Sequence, residues 1–460
     1  METIAITTSP LAGSLRACGF VGRLVEPADH DYDRARIGWN GAIDRRPAAV
    51  AYASDADDVA AAIRAARAAG LPFTIRAGGH SVSGRSVRDG ALCIDLRALN
   101  AVAVDPDRGV VRVGGGALLS ELDAATQEHG LAVPGGQISH TGFGGLTLGG
   151  GIGWLMRRHG LTIDSLQSVD VVLADGEQVR ASADEQPDLF WALRGGGGDF
   201  GVVTSFEFRA HRVGPLILAG VLVYPWENAR EALRASRDLM AGAPEELTIF
   251  DVLVTAPPQE PFPPGLQGQR VAVVGVAWCG DLSEGERVLA PLRANCPPVV
   301  DLVGPMPYVA LQSMLDATAP HGWRFYDRLH YLPEVSDGFI DTLLAGFESV
   351  PAPQAHIVTG WLGGAIDRAA PGATAFGHRD ARAFTWLIGC SGNEPIGPVT
   401  DWVRHVWDET APFATGGVYV NALNSERSVR DAYADEIWKR LVAVKRRYDP
   451  DGVFAGNGIR

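Results

Sequence analysis

The 460 residues carry 40 Lys+Arg against 54 Asp+Glu, a net charge of −14, and 46% are hydrophobic. At roughly 150 residues per domain, the length fits about three domains or two large ones, enough to bury a core without disulfide or metal staples. The acidic balance excludes an extended nucleic-acid surface, which needs clustered Lys and Arg, and no apolar run of about 18 residues offers a membrane span. The N-terminus carries Glu2 and lacks the basic and apolar regions of a signal peptide. Cys18, Cys93, Cys279, Cys296 and Cys390 form no CxxC pair, which fits a reducing, cytoplasmic setting and argues against a thiolate metal site.

In chain order, residues 48–53 predict a short strand, and Ser54 and Asp55 supply cap chemistry for a helix that stops at Gly70. A second strand over 72–76 runs into Arg76-Ala77-Gly78-Gly79-His80-Ser81, then Gly84, before another strand over 91–96. A dinucleotide-binding Rossmann turn must open a helix; these glycines open a loop without helical periodicity, so that reading loses. A strand over 110–113 precedes an amphipathic helix with Leu118, Leu119, Leu122 and Ala125 on one face, ending at Gly130. The stretch 134–154 is dense in glycine but interleaved with Phe143, Leu146, Ile152 and Trp154. Flexible linkers lack such apolar residues, so this stretch predicts close approach of backbone to a ligand. A strand over 169–174, a helix around Leu189, Trp191 and Leu193, a third glycine cluster at 195–203 and a strand over 204–209 close this half. Strand-like runs at 216–224, 249–254, 271–278, 356–361 and 384–388, with helices at 229–240 and 284–293, predict an α+β second half. Ala432, Ile437, Leu441 and Val444 mark a C-terminal helix.

Three glycine-rich loops from one half imply a large, phosphate-bearing ligand held by main-chain N–H groups. The sequence has no GxxxxGK[ST], HExxH or GxSxG, which disfavours a P-loop nucleotidase, a zincin and an α/β-hydrolase. His80 reads equally as a functional residue or a hydrogen-bonded loop histidine. Trp154 fits a ring contact or plain core, and spacing does not choose among Tyr326, His330, Tyr331, His356 and Trp361 as pocket residues.

The segment 76–81 followed by 142–154 resembles the berberine-bridge-enzyme-like flavoproteins of the vanillyl-alcohol-oxidase/p-cresol-methylhydroxylase superfamily, the single-attachment branch near 6-hydroxynicotine oxidase and polyketide-tailoring oxidases. Tyr32-Asp33, Trp39-Asn40-Gly41 and Asp44-Arg45-Arg46-Pro47 resemble the approach to the flavin domain. Residues 195–203 resemble its third glycine loop, and Ala373-Thr374-Ala375-Phe376 with His378-Arg379 its substrate-domain signature. Tyr419-Val420-Asn421, Tyr448-Asp449-Pro450, Phe454 and Asn457 resemble the segment that returns to the flavin.

The resemblance implies an α+β fold: an FAD-binding domain from 1–210 completed by 412–460, and a substrate domain over 211–411 with an antiparallel sheet backed by helices. It implies FAD bound covalently through His80 by an 8α-histidyl bond, as a single attachment, because Ile138 stands where bicovalent relatives carry cysteine. Further cofactor contacts implied in the first loop are Arg76, Gly78, Gly79, Ser81 and Gly84. The second loop adds Ser139, Gly142, Gly145, Gly149, Gly150 and Trp154, and Val202, Tyr419, Asn421 and Asn457 complete the set. Many relatives place a tyrosine after the Tyr-x-Asn motif as a base; Ala422 stands there, so Tyr419, His140 and the pocket residues above become candidates for that role, and Thr141 a catalytic candidate for contacting the flavin N5 or an oxygen species. The implied chemistry is hydride transfer from a small organic substrate, such as a polyketide or alkaloid, with O₂ as acceptor and the cofactor supplying the redox step. The alternatives are a sugar or simple-alcohol oxidase and a flavin-bearing binding protein. A homodimer is compatible with this reading, and neither a metal nor a membrane or nucleic-acid partner is expected.

Overall fold

The computed structural model describes residues 9–260, 262–424, 426–454, 456 and 458–460. The helix Ala56–Ala68 crosses between two strands that both pair in parallel with Leu92–Asp95, namely Ala49–Tyr52 and Phe73–Arg76. The Asp55 carboxylate accepts the Asp58 N–H at its start, and Gly70 (φ +62°) takes the left-handed turn just beyond its end. Leu92–Asp95 is buried throughout, as a parallel strand covered on both faces must be. Arg23–Val25 closes the edge antiparallel.

A second, antiparallel sheet runs Val102–Asp105, Val110–Gly114, Val202–Arg209, Leu166–Val172, Gln178–Ser182. Its core joins Val111, Val113, Phe206 and Phe208 to the helices Leu119–Gln127 and Pro187–Leu193. Leu441 and Val444 of the C-terminal helix Asp435–Tyr448 complete this core, so the end of the chain packs on its N-terminal half. That helix begins at Asp435; Ala432, expected within it, lies in the preceding turn Val429–Ala432.

The large sheet has eight strands. Seven run in the order Val300–Asp301, Leu216–Pro225, Arg270–Trp278, Leu247–Thr255, His356–Trp361, Ala383–Cys390, Phe325–Leu332, and Gly304–Pro307 pairs with Leu216–Pro225. Every pairing is antiparallel, and side chains alternate between two environments. Leu222, Ile249, Leu253, Val274 and Leu387 meet the helices Ala229–Met240, Leu282–Asn295, Asp337–Glu348 and Gly397–Thr410. The opposite face, with Phe250, Val252, Val273 and Ile388, looks toward the glycine loops. The strand Phe325–Leu332 and the helices Asp337–Glu348 and Gly397–Thr410 go beyond the elements expected from sequence.

Candidate functional site

Between that open sheet face and the three glycine loops lies a cavity of about 590 Å³. The first loop leaves the strand Phe73–Arg76. Arg76 is 1% exposed; it bonds Asp95 through Nε at 2.7 Å and a terminal nitrogen at 2.6 Å, and it donates to Ala35 O at 2.5 Å. Arg76 is thus an internal strut under the loop and does not line the cavity. Gly78, Gly79, His80 and Ser81 do line it. Gly84 does not; its α-carbon packs on Ile43. Trp39, Asn40 and Gly41 cross to the large sheet. Trp39 Nε1 donates to Ala319 O at 2.7 Å, and Asn40 bonds both the N–H (3.0 Å) and the carbonyl (2.9 Å) of Phe325.

His80 stacks on Trp39, ring centroids 4.3 Å apart and 17° between planes. Its Nε2 lies 2.9 Å from His140 Nδ1, and His321 stands beside both, with one ring nitrogen of each histidine within 4.8 Å of the others. Burial, then the neighbouring His140 and His321, hold the His80 pKa well below its ordinary value, so the ring is neutral at pH 7. With Nε2 engaged by His140, Nδ1 is the ring nitrogen left for another partner. His140 itself does not line the cavity; it supports His80.

In the second loop Gly142 presses its backbone against Gly78. Thr141, Gly142, Gly145 and Trp154 line the cavity, whereas Ser139, Gly149 and Gly150 do not. Ser139 spends both its N–H (2.7 Å) and its hydroxyl (2.5 Å) on the Asp316 carboxylate. Gly149 abuts Asn421, and Gly150 (φ +131°) abuts Phe376. In the third loop Val202 faces the cavity.

Tyr419 and Asn421 reach the cavity from the C-terminal segment. The Tyr419 hydroxyl accepts from Gly151 N–H at 3.1 Å and from Asn421 Nδ2 at 2.9 Å, and burial raises its pKa. A phenol with a raised pKa whose oxygen is already accepting two hydrogen bonds is a poor proton acceptor. Ala422 is 5% exposed and lies behind the wall. Asn457 lies outside the described residues. The 373–379 stretch clamps the glycine loops from outside: Ala375 N–H donates to Arg194 O at 3.0 Å, and Arg379 pairs with Asp164 at 2.6 Å.

Of the aromatic candidates in the second half, only His356 lines the cavity. Tyr326 bonds Glu426, His330 stacks on Trp407, Tyr331 stacks on His378, and Trp361 donates to Asp251. Sequence reasoning missed Phe325, Asp327 and Trp386. Their signal was an alternation over 325–331 with a carboxylate on the apolar side.

The residues present fit a large cofactor with phosphates and a flat ring. Among the described residues, no main-chain N–H from Gly79 to Ser83 donates to an internal acceptor. A Cβ at Gly145 would meet nothing within 4 Å, so cavity space replaces a side chain there. Trp154 Nε1 is buried on the wall without a partner. Unpaired donors along a glycine-rich wall suit an anionic ligand.

The FAD binding domain family matches residues 47–182. The FAD-linked oxidoreductase YgaK of Bacillus subtilis (strain 168) is 30% identical over 442 residues, 94% of this chain and 95% of that protein. (R)-6-hydroxynicotine oxidase of Paenarthrobacter nicotinovorans is 30% identical over 451 residues, 95% of this chain and 96% of that protein. The crystal structure of 6-hydroxy-D-nicotine oxidase from Arthrobacter nicotinovorans superposes with a TM-score of 0.84 at 27% identity, covering 96% of this chain and 98% of that one. Physcomitrella patens BBE-like 1 shares the fold, with a TM-score of 0.88 at 23% identity over 98% of this chain and 99% of that one. With its glycine loops facing a shared cavity and its likeness running nearly end to end, the chain belongs to the FAD-linked oxidoreductases of the vanillyl-alcohol-oxidase/p-cresol-methylhydroxylase superfamily.

Proposed function

We propose that this oxidoreductase is an oxidase of a small, largely apolar, ring-bearing molecule, a secondary metabolite such as a polyketide or alkaloid. FAD is attached once, through His80, and O₂ takes up the electrons. Bound FAD supplies the two-electron chemistry by accepting hydride from a substrate C–H. The observation that carries the substrate class is the sheet wall. Val221, Phe250, Val252, Val273, Val358 and Ile388 give it an apolar surface, which a ring system fills and a sugar does not. The (R)-6-hydroxynicotine oxidase relative, whose substrate by its name is a small heterocyclic amine, agrees in kind.

In this reading residues 1–210 and 412–460 hold the cofactor, and 211–411 cover the substrate. The first loop offers its unpaired N–H groups. His80 is neutral, flat against Trp39 and held at Nε2, which leaves Nδ1 as the attaching nitrogen. Thr141 and Tyr419 are wall residues at the ring. The five free cysteines, three of them buried, support a reducing, cytoplasmic setting.

Xylooligosaccharide oxidase shares the fold, at a TM-score of 0.83 and 23% identity, and marks the second reading, a sugar oxidase. The apolar wall and Ile138 speak against it. The glucooligosaccharide oxidase of Acremonium strictum carries a 6-S-cysteinyl, 8α-N1-histidyl FAD, and no cysteine occupies position 138 here.

The test is acid precipitation of purified protein beside His80→Ala. Yellow pellet from the wild type and yellow supernatant from the variant support the tether; flavin released from both refutes it. Peroxide formation with aryl alcohols and heterocyclic amines, and none with an oligosaccharide panel, supports the substrate class; the reverse pattern moves the protein to the sugar oxidases.

A further inference from the structure

The wall opposite the glycine loops has two titratable side chains in one row. Asp327 is in register with Ile388, and Ile388 with His356, across three adjacent strands, and all three line the cavity. Strands lie about 4.8 Å apart, so the carboxyl and the imidazole flank Ile388. Phe325, two positions before Asp327 and on the same strand face, stacks on Trp39 at 4.0 Å, and Trp39 stacks on His80. Asp327 therefore belongs to the end of the cavity where His80 sits.

Asp327 is 3% exposed. Its Oδ2 accepts a long hydrogen bond from Trp386 Nε1 at 3.2 Å, while Oδ1 is buried without any hydrogen-bond partner. A buried carboxyl oxygen left unpaired on a cavity wall calls for a ligand that supplies the missing donor. Burial pushes the Asp327 pKa up to about 8, opposed only by the Trp386 hydrogen bond.

The surrounding groups leave that state undisturbed. From Ala383–Cys390, Trp386 and the Cys390 thiol share its side of the sheet, and from His356–Trp361, His356 faces it across Ile388. Asn424 bonds the Asp327 main-chain carbonyl at 3.1 Å. Tyr419, from the facing segment, lies with its ring 6.3 Å from that of Trp386. Arg328 points to the other face, where it pairs with Glu426 at 2.6 Å. The cavity arginines Arg45, Arg85 and Arg88 come from the segments around the first loop, not from this sheet. His356 donates Nδ1–H to Gln354 O at 2.9 Å, and burial keeps its pKa low, so its Nε2 is a bare acceptor.

We propose that Asp327 is the proton-accepting catalytic residue, its Oδ1 taking the proton from the O–H or N–H on the substrate carbon that is oxidised. The heteroatom–hydrogen bond breaks as the Oδ1–H bond forms. The C–H electron pair leaves as hydride to FAD, and the substrate becomes a carbonyl or imine. This step rests on the reading of the protein as a hydride-transferring oxidase and supplies the base that Ala422 does not. A group ionising near working pH, and far more basic than an ordinary aspartate, suits proton abstraction. His356 Nε2, on the other side of Ile388, accepts a second donor of the substrate and orients it.

The experiment uses flavin-loaded wild type and Asp327→Asn. First, the absorption spectrum of the bound flavin is titrated through about pH 8 without substrate. A one-proton step in the wild type that is missing from the variant supports a carboxyl at the flavin cavity; its absence from the wild type, or its persistence in the variant, overturns the proposal. Second, both proteins are mixed anaerobically with (R)-6-hydroxynicotine and with 1-phenylethanol. With whichever probe bleaches the wild-type flavin, bleaching is expected to speed up as pH rises through that step, and to be slower in the variant by about 10²-fold or more. Equal rates in both proteins overturn the proposal and leave the oxidase reading intact. A preparation that retains flavin yet is bleached by neither these probes nor the wider panel fails the oxidase reading instead, and the Asp327 step falls with it.

Discussion

Gly78 and Gly142, on different loops, meet backbone to backbone: a Cβ on either would overlap the main-chain nitrogen of the other. The seam holds the first two loops together along the cavity, and neither partner can yield because both are main chain. Gly78→Ala or Gly142→Ala is expected to lower soluble yield sharply. Gly145→Ala points into open cavity and favours the helix Phe143–Leu148 that contains it, so it should keep the wild-type Tm but lose flavin occupancy, measured as the ratio of flavin to protein absorbance. A Gly145→Ala protein that stays fully yellow would remove this wall from the cofactor site.

His140→Ala should fold normally, since His80 keeps its stack on Trp39. The ring then loses its contact at Nε2, and with it the fixed presentation of Nδ1. The expected result is a fall of about tenfold in the rate at which added FAD becomes acid-precipitable, by analogy with the loss when the partner that orients a metal-ligating histidine is removed. FAD extracted by acid should still be found with the freshly loaded variant.

The Arg76–Asp95 pair is buried at 1% and 0% exposure and carries the strand end beneath the first loop. Asp95→Asn strands the buried Arg76 guanidinium and should cost about 3–5 kcal/mol in urea unfolding. Arg76→Met leaves Asp95 paired with Arg97 at 2.9 Å and should cost less. The cost should be nearly independent of salt, because water and counterions do not reach the pair.

Asp123 on Leu119–Gln127 accepts from Gln312 Nε2 at 2.9 Å, which ties the N-terminal half to the helix Tyr308–Ser313 beside the large sheet. Burial raises its pKa to about 7. The folded state therefore holds a proton that the unfolded chain releases in the ordinary carboxylate range. The associated stability is full below that range and is lost as pH rises through about 7. Asp123→Asn keeps an acceptor for Gln312 and removes the titration. Its unfolding free energy should fall less than that of wild type between mildly acid and mildly alkaline pH, by on the order of 2 kcal/mol.

Much of the framework was legible because it depends on near neighbours in the chain. The cap at Asp55, the stop at Gly70, the helix Ala229–Met240 and the strand Arg270–Trp278 all follow from local spacing. The glycine loops were legible too, since such dense glycine among apolar residues has few uses. The strand Phe325–Leu332 escaped notice because Asp327, Arg328 and His330 break its apolar run. Only pairing with Ala383–Cys390 makes it a strand.

The sequence by itself determined three backbone-lined loops, an acidic surface and a second, strand-rich half, because glycine, charge and periodicity act over a few residues. Tertiary structure alone decided which side chains face the cavity. Arg76 and Ser139 look like ligand contacts in sequence, yet Asp95 and Asp316 engage them. Asp327 looks like a surface charge until strand register turns it inward. The physical reason is one of range: local preference fixes backbone conformation, while the partner that satisfies or strands a polar group arrives from far along the chain.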